Sequence, residues 1–237
     1  MSQLDDLYLP DGSRLGVQIY GQPGSGKSYF IEHTLKAFLK QNKNEHLRVI
    51  YVSPKHEPIL DKEPIYDLTK IEKHLKKNRV AVFYPSPDFY EQDVDQLIDL
   101  VFDIKEFNPD FKATILIDDA QVFLGSRASA TPSHKRLVLT GRSKMIRVVY
   151  VSHALVMHKL LEGQMSYLVA FTNPLPLEYR NAIQRFGYDP SHHEEAMKST
   201  QYAYVWFDTR TRESRIYPPL DVWIIFIYPK WTGYGPC

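Results

Sequence analysis

Short apolar segments alternate along the chain with longer segments in which apolar residues recur every three or four positions. The first pattern predicts buried strands and the second predicts amphipathic helices. Strands are predicted over residues 15–20, 47–52, 79–84, 113–119, 146–151, 167–171, 202–207 and 214–217, and helices over 29–40, 67–77, 88–107, 133–140, 155–161 and 175–186. This alternation predicts an α/β fold with a mostly parallel central β-sheet flanked by helices and a short C-terminal β extension.

The length of 237 residues suits one sizeable domain. Residues 1–14 are interpreted as a polar N-terminal lead-in with a turn at 10–12, and residues 15–217 as the domain itself. Residues 218–237 are rich in aromatic residues and proline and are predicted to form a C-terminal tail. The tail either packs beside an edge strand or docks on another protein, since aromatic patches are common at interfaces.

The amino-acid composition says more about the cellular compartment of the protein than about its function. A lone cysteine, Cys237, excludes an internal disulfide framework and a cysteine-rich zinc site, and it favours a reducing compartment. The N-terminal residues lack the basic and apolar regions of a signal peptide. The apolar run over 222–228 is too short to cross a bilayer, so we expect no stable membrane insertion.

The strongest motif follows the first predicted strand. The sequence G-Q-P-G-S-G-K-S over residues 21–28 fits the phosphate-binding loop of P-loop NTPases, and a strand before it and a helix after it supply the expected context. Backbone N–H groups of such a loop bind phosphate oxygens at a helix N-terminus. Lys27 is predicted to contact the β- and γ-phosphates, and the Ser28 hydroxyl to bind Mg²⁺. The predicted nucleotide-binding residues are Gly21, Gln22, Pro23, Gly24, Ser25, Gly26, Lys27, Ser28 and Tyr29.

Two acids end the apolar run A-T-I-L-I-D-D. Asp118 is predicted to bind Mg²⁺, because an acid at the carboxyl end of a central strand lies beside the phosphate loop in these NTPases. Asp119 is predicted to orient or deprotonate the attacking water. Asp119 is one methylene shorter than the glutamate common at this position, so either the water sits closer or Gln121 helps to hold it.

A further polar pair ends the strand over 146–151. Ser152 and His153 are candidates for contacting the γ-phosphate. His153 could equally cap the following helix, and the sequence leaves both alternatives open.

Charge is distributed unevenly. Residues 120–161 contain no acid and seven basic side chains, which are Arg127, Lys135, Arg136, Arg142, Lys144, Arg147 and Lys159. A solvated basic face would explain them. Alternatively, Arg142 or Arg147 is an arginine finger that reaches a neighbouring subunit's γ-phosphate, and the loop over 125–133 faces a polynucleotide backbone.

Four segments together resemble the FtsK–HerA class of DNA-pumping ATPases: G-Q-P-G-S-G-K-S, I-L-I-D-D-A, T-G-R-S-K-M-I-R-V-V-Y-V-S-H and L-V-A-F-T-N. Within that class the chain is most similar to the genome-packaging ATPases of viruses with double jelly-roll capsids. The resemblance covers residues 15–185. It implies a RecA-like P-loop core, a homo-oligomeric ring that is usually a hexamer, and ATP-driven translocation of double-stranded DNA into a preformed capsid.

The same resemblance implies roles for individual residues. It assigns Lys27 and Ser28 to phosphate and Mg²⁺, Asp118 to Mg²⁺, Asp119 to the catalytic acid and Arg142 to the finger acting in trans. Members of the class often carry Gln or Asn where this chain has His153. The implied location is the host cytoplasm or the virion. The resemblance does not extend to residues 188–237, so docking of the C-terminal tail on a capsid vertex or a neighbouring subunit is one of the two alternatives that its aromatic composition leaves open.

Two other function classes compete with the motor. An NTP-dependent assembly or secretion protein would use the same ATPase core on protein at a membrane, and the lack of a membrane anchor disfavours it. A nucleotide switch that binds without turnover is disfavoured by the presence of both acids, since a switch does not need a water-orienting carboxylate.

Overall fold

The computed structural model describes residues 3–13, 16–55, 59–121, 131–153, 164–171, 184 and 202–220. The helices are α1 (Gln3–Tyr8), α2 (Lys27–Gln41), α3 (Ile71–Lys77), α4 (Tyr90–Phe107) and α5 (Pro132–Thr140), with short 3-10 turns at Leu68–Lys70 and Pro87–Phe89. The strands are β1 (Gly16–Tyr20), β2 (Leu47–Val52), β3 (Val80–Phe83), β4 (Lys112–Ile117), β5 (Ile146–Ser152), β6 (Met165–Ala170), β7 (Tyr204–Asp208) and β8 (Glu213–Tyr217).

All eight strands form a single sheet in the order β3-β2-β4-β5-β1-β6-β7-β8. Strands β3 through β6 in this order pair in parallel, and β7 and β8 add to the sheet antiparallel. The predicted fold class is therefore confirmed, including the C-terminal β extension. Because β4 and β5 lie between β1 and β2, the first two strands are parallel members of one sheet without being neighbours.

The sheet is buried on both faces, as continuous apolar strands predict. All residues of β1, β3 and β5 are buried. One apolar cluster includes buried residues of α3, α4 and α5, and a second includes buried residues of α1, α2 and the antiparallel strands. This arrangement holds the carboxyl ends of six parallel strands rigidly at one edge, where ligands bind in open α/β sheets.

The last predicted strand pair differs slightly from the structure. β7 begins at Tyr204 and not at Tyr202, which lies in a turn with a left-handed φ of 64°. The predicted helices over 155–161 and 175–186 fall, apart from residue 184, outside the described residues. Among the helices that are described, none is long and apolar enough to cross a membrane.

The N-terminal segment is packed on the domain, which its polar composition did not predict. Leu7 and Tyr8 of α1 are buried. Arg147 of β5 is fully buried and donates to the backbone carbonyls of Leu9, at 2.7 Å, and Asp6. A buried guanidinium held in this way cannot reach a neighbouring subunit, so the prediction of Arg147 as an alternative arginine finger is wrong.

The domain boundaries stay predictions. Leu220 lies within the segment predicted as a tail and packs partly buried against the core. Residues 221–237 lie outside the described part of the chain.

Candidate active site

The glycine loop connects β1 to α2, and its backbone explains its composition. Gly24 and Gly26 have φ values of 75° and 95°, which side-chain-bearing residues rarely adopt. A Cβ on Gly21 would lie 2.5 Å from Ser25 Oγ and 2.9 Å from Phe171 Cβ. The loop can therefore take this compact shape only with glycine at these positions.

The loop leads directly into the N-terminus of α2. Gly26 is the N-cap and supplies no side-chain cap, so the first N–H groups of the helix are open to an anion. Ser28 and Tyr29 are exposed in the first turn, and the ring of Tyr29 stacks on His33 with ring centroids 3.7 Å apart. The loop and helix end thus form a cradle with the donors that a phosphate group needs.

Lys27 folds back onto this cradle. Its Nζ donates to the carbonyl oxygens of Gly21 at 2.5 Å and Gln22 at 2.9 Å, and it lies 3.0 Å from His153 Nδ1. Lys27 is only 6% exposed. The ammonium group therefore occupies its own loop, at the position where phosphate oxygens are expected.

Burial lowers the pKa of Lys27 to about 8. The negative charges of Asp118 and Asp119 act in the opposite direction, and the positive charge of Lys55 adds to the lowering. A buried cation with a depressed pKa gains most from an additional anionic partner, so the site is prepared for a negatively charged ligand.

Asp118 follows β4 directly and is held from two sides. The Tyr51 hydroxyl donates to Asp118 Oδ2 at 2.9 Å, and the Asp119 N–H donates to Oδ1 at 2.9 Å. The Tyr90 hydroxyl donates to the Asp118 carbonyl at 2.9 Å. Burial raises the pKa of Asp118, while the Tyr51 hydrogen bond favours the ionised carboxylate. These contacts orient the predicted metal ligand toward the edge of the sheet.

Both carboxylate oxygens of Asp119 have partners. Lys55 Nζ lies 2.9 Å from Oδ2, and His153 Nε2 lies 3.1 Å from Oδ1. Gln121 Nε2 donates to Oδ1 at 3.1 Å, so the residue suggested as a helper for water holds the acid itself. The backbone of Asp119 is left-handed, with φ 49°.

His153 joins the lysine of the loop to the acid after β4. Its Nδ1 faces Lys27, its Nε2 faces Asp119, and its backbone N–H donates to Gln121 Oε1 at 3.2 Å. The sequence left open whether His153 lies in the site or caps the next helix. The structure places it in the site, and residues 154–163 lie outside the described part.

Three members of the site were missed by the sequence interpretation: Lys55, Tyr51 and Tyr90. Tyr51 and Lys55 flank the end of β2, which pairs with β4 so that Val52 lies opposite Ile117. A strand order with β2 beside β4 would have placed both residues next to the acids. The spacing of motifs along the sequence does not reveal the order of the strands in the sheet.

The predicted arginine finger, Arg142, lies at the amino ends of the parallel strands, opposite the carboxyl ends that carry the candidate site. It is exposed in the turn between α5 and β5, at the amino end of β5. It therefore does not join the site of its own chain, and its role stays a prediction. Arg136 pairs with Glu106 at 3.0 Å and covers the ring of Phe102 at 4.3 Å.

The basic span is consequently less uniform than charge counting suggested. Arg147 is buried and Arg136 is paired with acids, while Arg127 and Lys159 lie outside the described residues. The remaining basic side chains of the span are exposed, and they are Lys135, Arg142 and Lys144.

Unpaired hydroxyls add to the case for a ligand. Ser25 Oγ in the loop and Ser152 Oγ at the end of β5 are buried and have no hydrogen-bond partner among the described residues. Such groups are rare in the absence of a ligand or water. The described residues contain no cluster of three or more His, Cys, Asp or Glu side chains that would hold a metal alone. A metal at Ser28 and Asp118 would thus share its coordination with phosphate oxygens.

A glycine loop between a strand and a helix, a lysine at the helix start and an acid after a nearby parallel strand define a P-loop NTPase fold. Known structures support this class. The structure of the genome-packaging NTPase B204 of Sulfolobus turreted icosahedral virus 2 in complex with AMPPCP is similar, with a TM-score of 0.68 at 18% identity over 89% of this chain and 100% of that chain.

The complex of the same viral NTPase with ATPγS gives a TM-score of 0.67 at 18% identity, covering 87% of this chain and 97% of that one. The DNA-packaging ATPase B204 of Sulfolobus turreted icosahedral virus gives 0.64 at 18% identity, covering 87% and 98%. No protein-family model and no curated protein sequence matches the chain. At this identity the comparison confirms the fold that the sequence resemblance implied.

Proposed function

We propose that this chain is an ATPase that translocates double-stranded DNA and packages a viral genome into a preformed capsid. The observation that supports it most is the meeting of Lys27, His153 and Asp119 beside the phosphate loop. ATP as the nucleotide is supported by the similar fold of packaging NTPases that were solved with ATPγS and AMPPCP. In this proposal the protein acts in the host cytoplasm or virion, and residues 218–237 contact a capsid vertex or a neighbouring subunit.

Nucleotide binding would begin with the release of Lys27 from its own loop. Its ammonium group now donates to two neutral carbonyls, and phosphate oxygens are stronger, charged acceptors. The N–H groups of residues 24–28 would bind the same phosphates at the open end of α2. Phosphate would therefore compensate a buried positive charge that the two neutral carbonyls compensate only in part.

Ser28 and Asp118 would hold a Mg²⁺ ion, which neutralises the charge on the phosphates when bound. Asp118 must be ionised to bind a cation, and burial opposes ionisation. The hydroxyl of Tyr51 offsets part of that cost by donating to the carboxylate. Tyr51 is thus a positioning residue for the predicted metal ligand.

Hydrolysis would depend on freeing Asp119. Lys55 pairs with one of its oxygens, and His153 and Gln121 pair with the other, so an attacking water would compete with these partners for the carboxylate. A γ-phosphate beside Lys27 would attract Lys55, whose side chain is 41% exposed. Asp119 Oδ2 would then accept a hydrogen bond from the attacking water. Asp119 would therefore be more available to water when substrate is present.

A ring, most simply a hexamer, would complete the site with Arg142 of the adjacent subunit. Arg142 is exposed at the sheet edge opposite the loop, which suits action on a neighbour's nucleotide. Mixing Arg142→Ala chains with Lys27→Ala chains should restore part of the activity. Lys144→Ala, an exposed cation in the same turn, should be active alone. Failure of every mixing ratio to restore turnover would refute the finger.

The motor is tested by ATP turnover of the purified chain with and without double-stranded DNA. We expect DNA to raise turnover and Lys27→Ala to lower it by about 100-fold or more, because the variant loses phosphate stabilisation. Lys36→Ala on the outer side of α2, where Lys36 pairs with Glu32 at 2.7 Å, is the matched control. Equal turnover with and without DNA at several salt concentrations would overturn translocation, and full activity of Lys27→Ala would overturn the ATPase.

A further inference from the structure

A tyrosine from the C-terminal part of the chain lies against the phosphate loop. Tyr202 Cδ1 is 3.2 Å from the point that a Cβ on Gly26 would occupy, and the next nearest atoms to that point also belong to Tyr202. Gly26 is the last loop residue before α2. An aromatic ring from outside the motif therefore borders the cradle at the start of the helix.

The backbone of Tyr202 is strained, and its surroundings hold it in place. Its φ of 64° is unusual for a bulky residue, and such strain is concentrated at binding sites. The next residues, Ala203 and Tyr204, are buried. Tyr204 packs against Phe30 and Phe171, with ring centroids 4.9 Å and 5.1 Å away. The turn is anchored by this aromatic cluster, yet Tyr202 remains 49% exposed.

Among the described residues, Tyr29 is a second exposed aromatic residue near the loop, and its contacts differ. Its ring stacks on His33 one turn further along α2. The ring of Tyr202, by contrast, adjoins the loop glycine itself. Tyr202 is therefore better placed to meet a ligand that extends from the cradle.

We propose that Tyr202 forms the stacking surface for the base of the nucleotide that the loop holds. The inference rests on the proposed function, because it needs a triphosphate in the cradle. A nucleotide whose β- and γ-phosphates lie on the loop carries its base beyond the helix start, where it needs a flat apolar partner. Every base has a π-face, so stacking adds affinity without selecting among bases. The ligand class is a nucleoside triphosphate, with adenine and guanine accepted alike.

The test compares two ligands on the purified chain by calorimetry: AMPPCP with Mg²⁺, and inorganic tripolyphosphate with Mg²⁺. Tyr202→Gly removes the ring and suits the left-handed backbone, so the fold should persist. It should weaken AMPPCP binding about tenfold and leave tripolyphosphate binding unchanged. Tyr202→Phe should bind AMPPCP within about twofold of the unchanged chain, because the hydroxyl is not needed for stacking.

Tyr66→Ala is the matched control, since Tyr66 is 65% exposed and contacts Tyr84 beyond the end of β3, at the far side of the sheet. AMPPCP affinity unchanged in Tyr202→Gly would overturn the inference. Equal losses for AMPPCP and tripolyphosphate would also overturn it, because Tyr202 would then support the loop and not the base. Failure of the proposed function would give a different result, because Lys27→Ala would then leave the affinities for both AMPPCP and tripolyphosphate unchanged.

Discussion

The depressed pKa of Lys27 predicts that nucleotide binding takes up a proton. Burial places this pKa at about 8, with Lys55 adding to the effect and the two acids opposing it. A bound triphosphate would favour the charged ammonium and raise the pKa again. Near pH 8, Lys27 is therefore partly neutral in the free protein and fully charged in the nucleotide complex. The experiment therefore changes the pH from 8 to 9, through and above the pKa of Lys27 in the free protein.

The magnitude follows from that pKa. Lys27 in the free protein is charged in about half of the molecules at pH 8 and in about one-tenth at pH 9. Binding should take up about half a proton at pH 8 and about nine-tenths at pH 9. The apparent affinity should fall about fivefold between these values, because only the charged form binds well. Titration of the ligand's own terminal group is the same in Lys27→Arg, so the difference between the two proteins isolates the uptake by Lys27.

The assay is calorimetry with AMPPCP at pH 8 and pH 9, in pairs of buffers with different ionisation enthalpies. Lys55→Gln should retain proton uptake, reduced because Lys55 contributes to lowering the pKa of Lys27, and this assigns the proton to Lys27 and not to the other amine of the site. Lys27→Arg should show none, because a guanidinium stays charged throughout the range. Equal affinities at both pH values with no proton uptake would refute the assignment of a depressed pKa to Lys27.

Three further perturbations follow from the contacts of the site and core. Lys55→Ala should lower kcat about 100-fold with little change in KM, because it removes a positive charge that is needed mainly during hydrolysis. Steady-state kinetics would measure both constants. A raised kcat would contradict this and would mean that Lys55 only blocks Asp119. Arg147→Met should destabilise the fold by about 3 kcal/mol in urea denaturation, since it removes both hydrogen bonds that tie the N-terminal segment to β5, while nucleotide affinity stays unchanged. Tyr51→Phe should raise the pKa of Asp118 further, so the Mg²⁺ requirement of turnover should grow as pH falls; an unchanged Mg²⁺ dependence from pH 8 to pH 6 would contradict the role of Tyr51.

The parts of the fold that were predictable are those in which burial leaves a direct trace in the sequence. The run over 47–52 coincides with β2, because a strand buried on both faces must be apolar throughout. Asp118 was predictable because an acid ends such a run. The phosphate-binding loop was predictable because its positive φ values and close backbone contacts favour glycine. Helix α1 was not, since its six residues are too few to establish a period.

The site was predictable only where a residue belongs to a motif. Lys55 follows β2 and meets Asp119 because β2 pairs with β4, and strand order depends on packing between distant segments. Arg147 was misjudged because counting charges ignores burial. Its position within an apolar strand was a usable signal, since a cation there must find acceptors in the core.

The left-handed turn at Asp119 favours Asp over Glu at this position. Asp and Asn enter this conformation far more readily than residues with longer side chains, because their polar groups bond to nearby backbone. A glutamate would extend further toward the substrate but would resist the turn that aims it. The shorter carboxylate and the neighbours that hold it therefore form a matched set. Exchanging Asp119 for Glu would add a backbone cost of about 1 kcal/mol in this turn, so the two acids are not equivalent at this position.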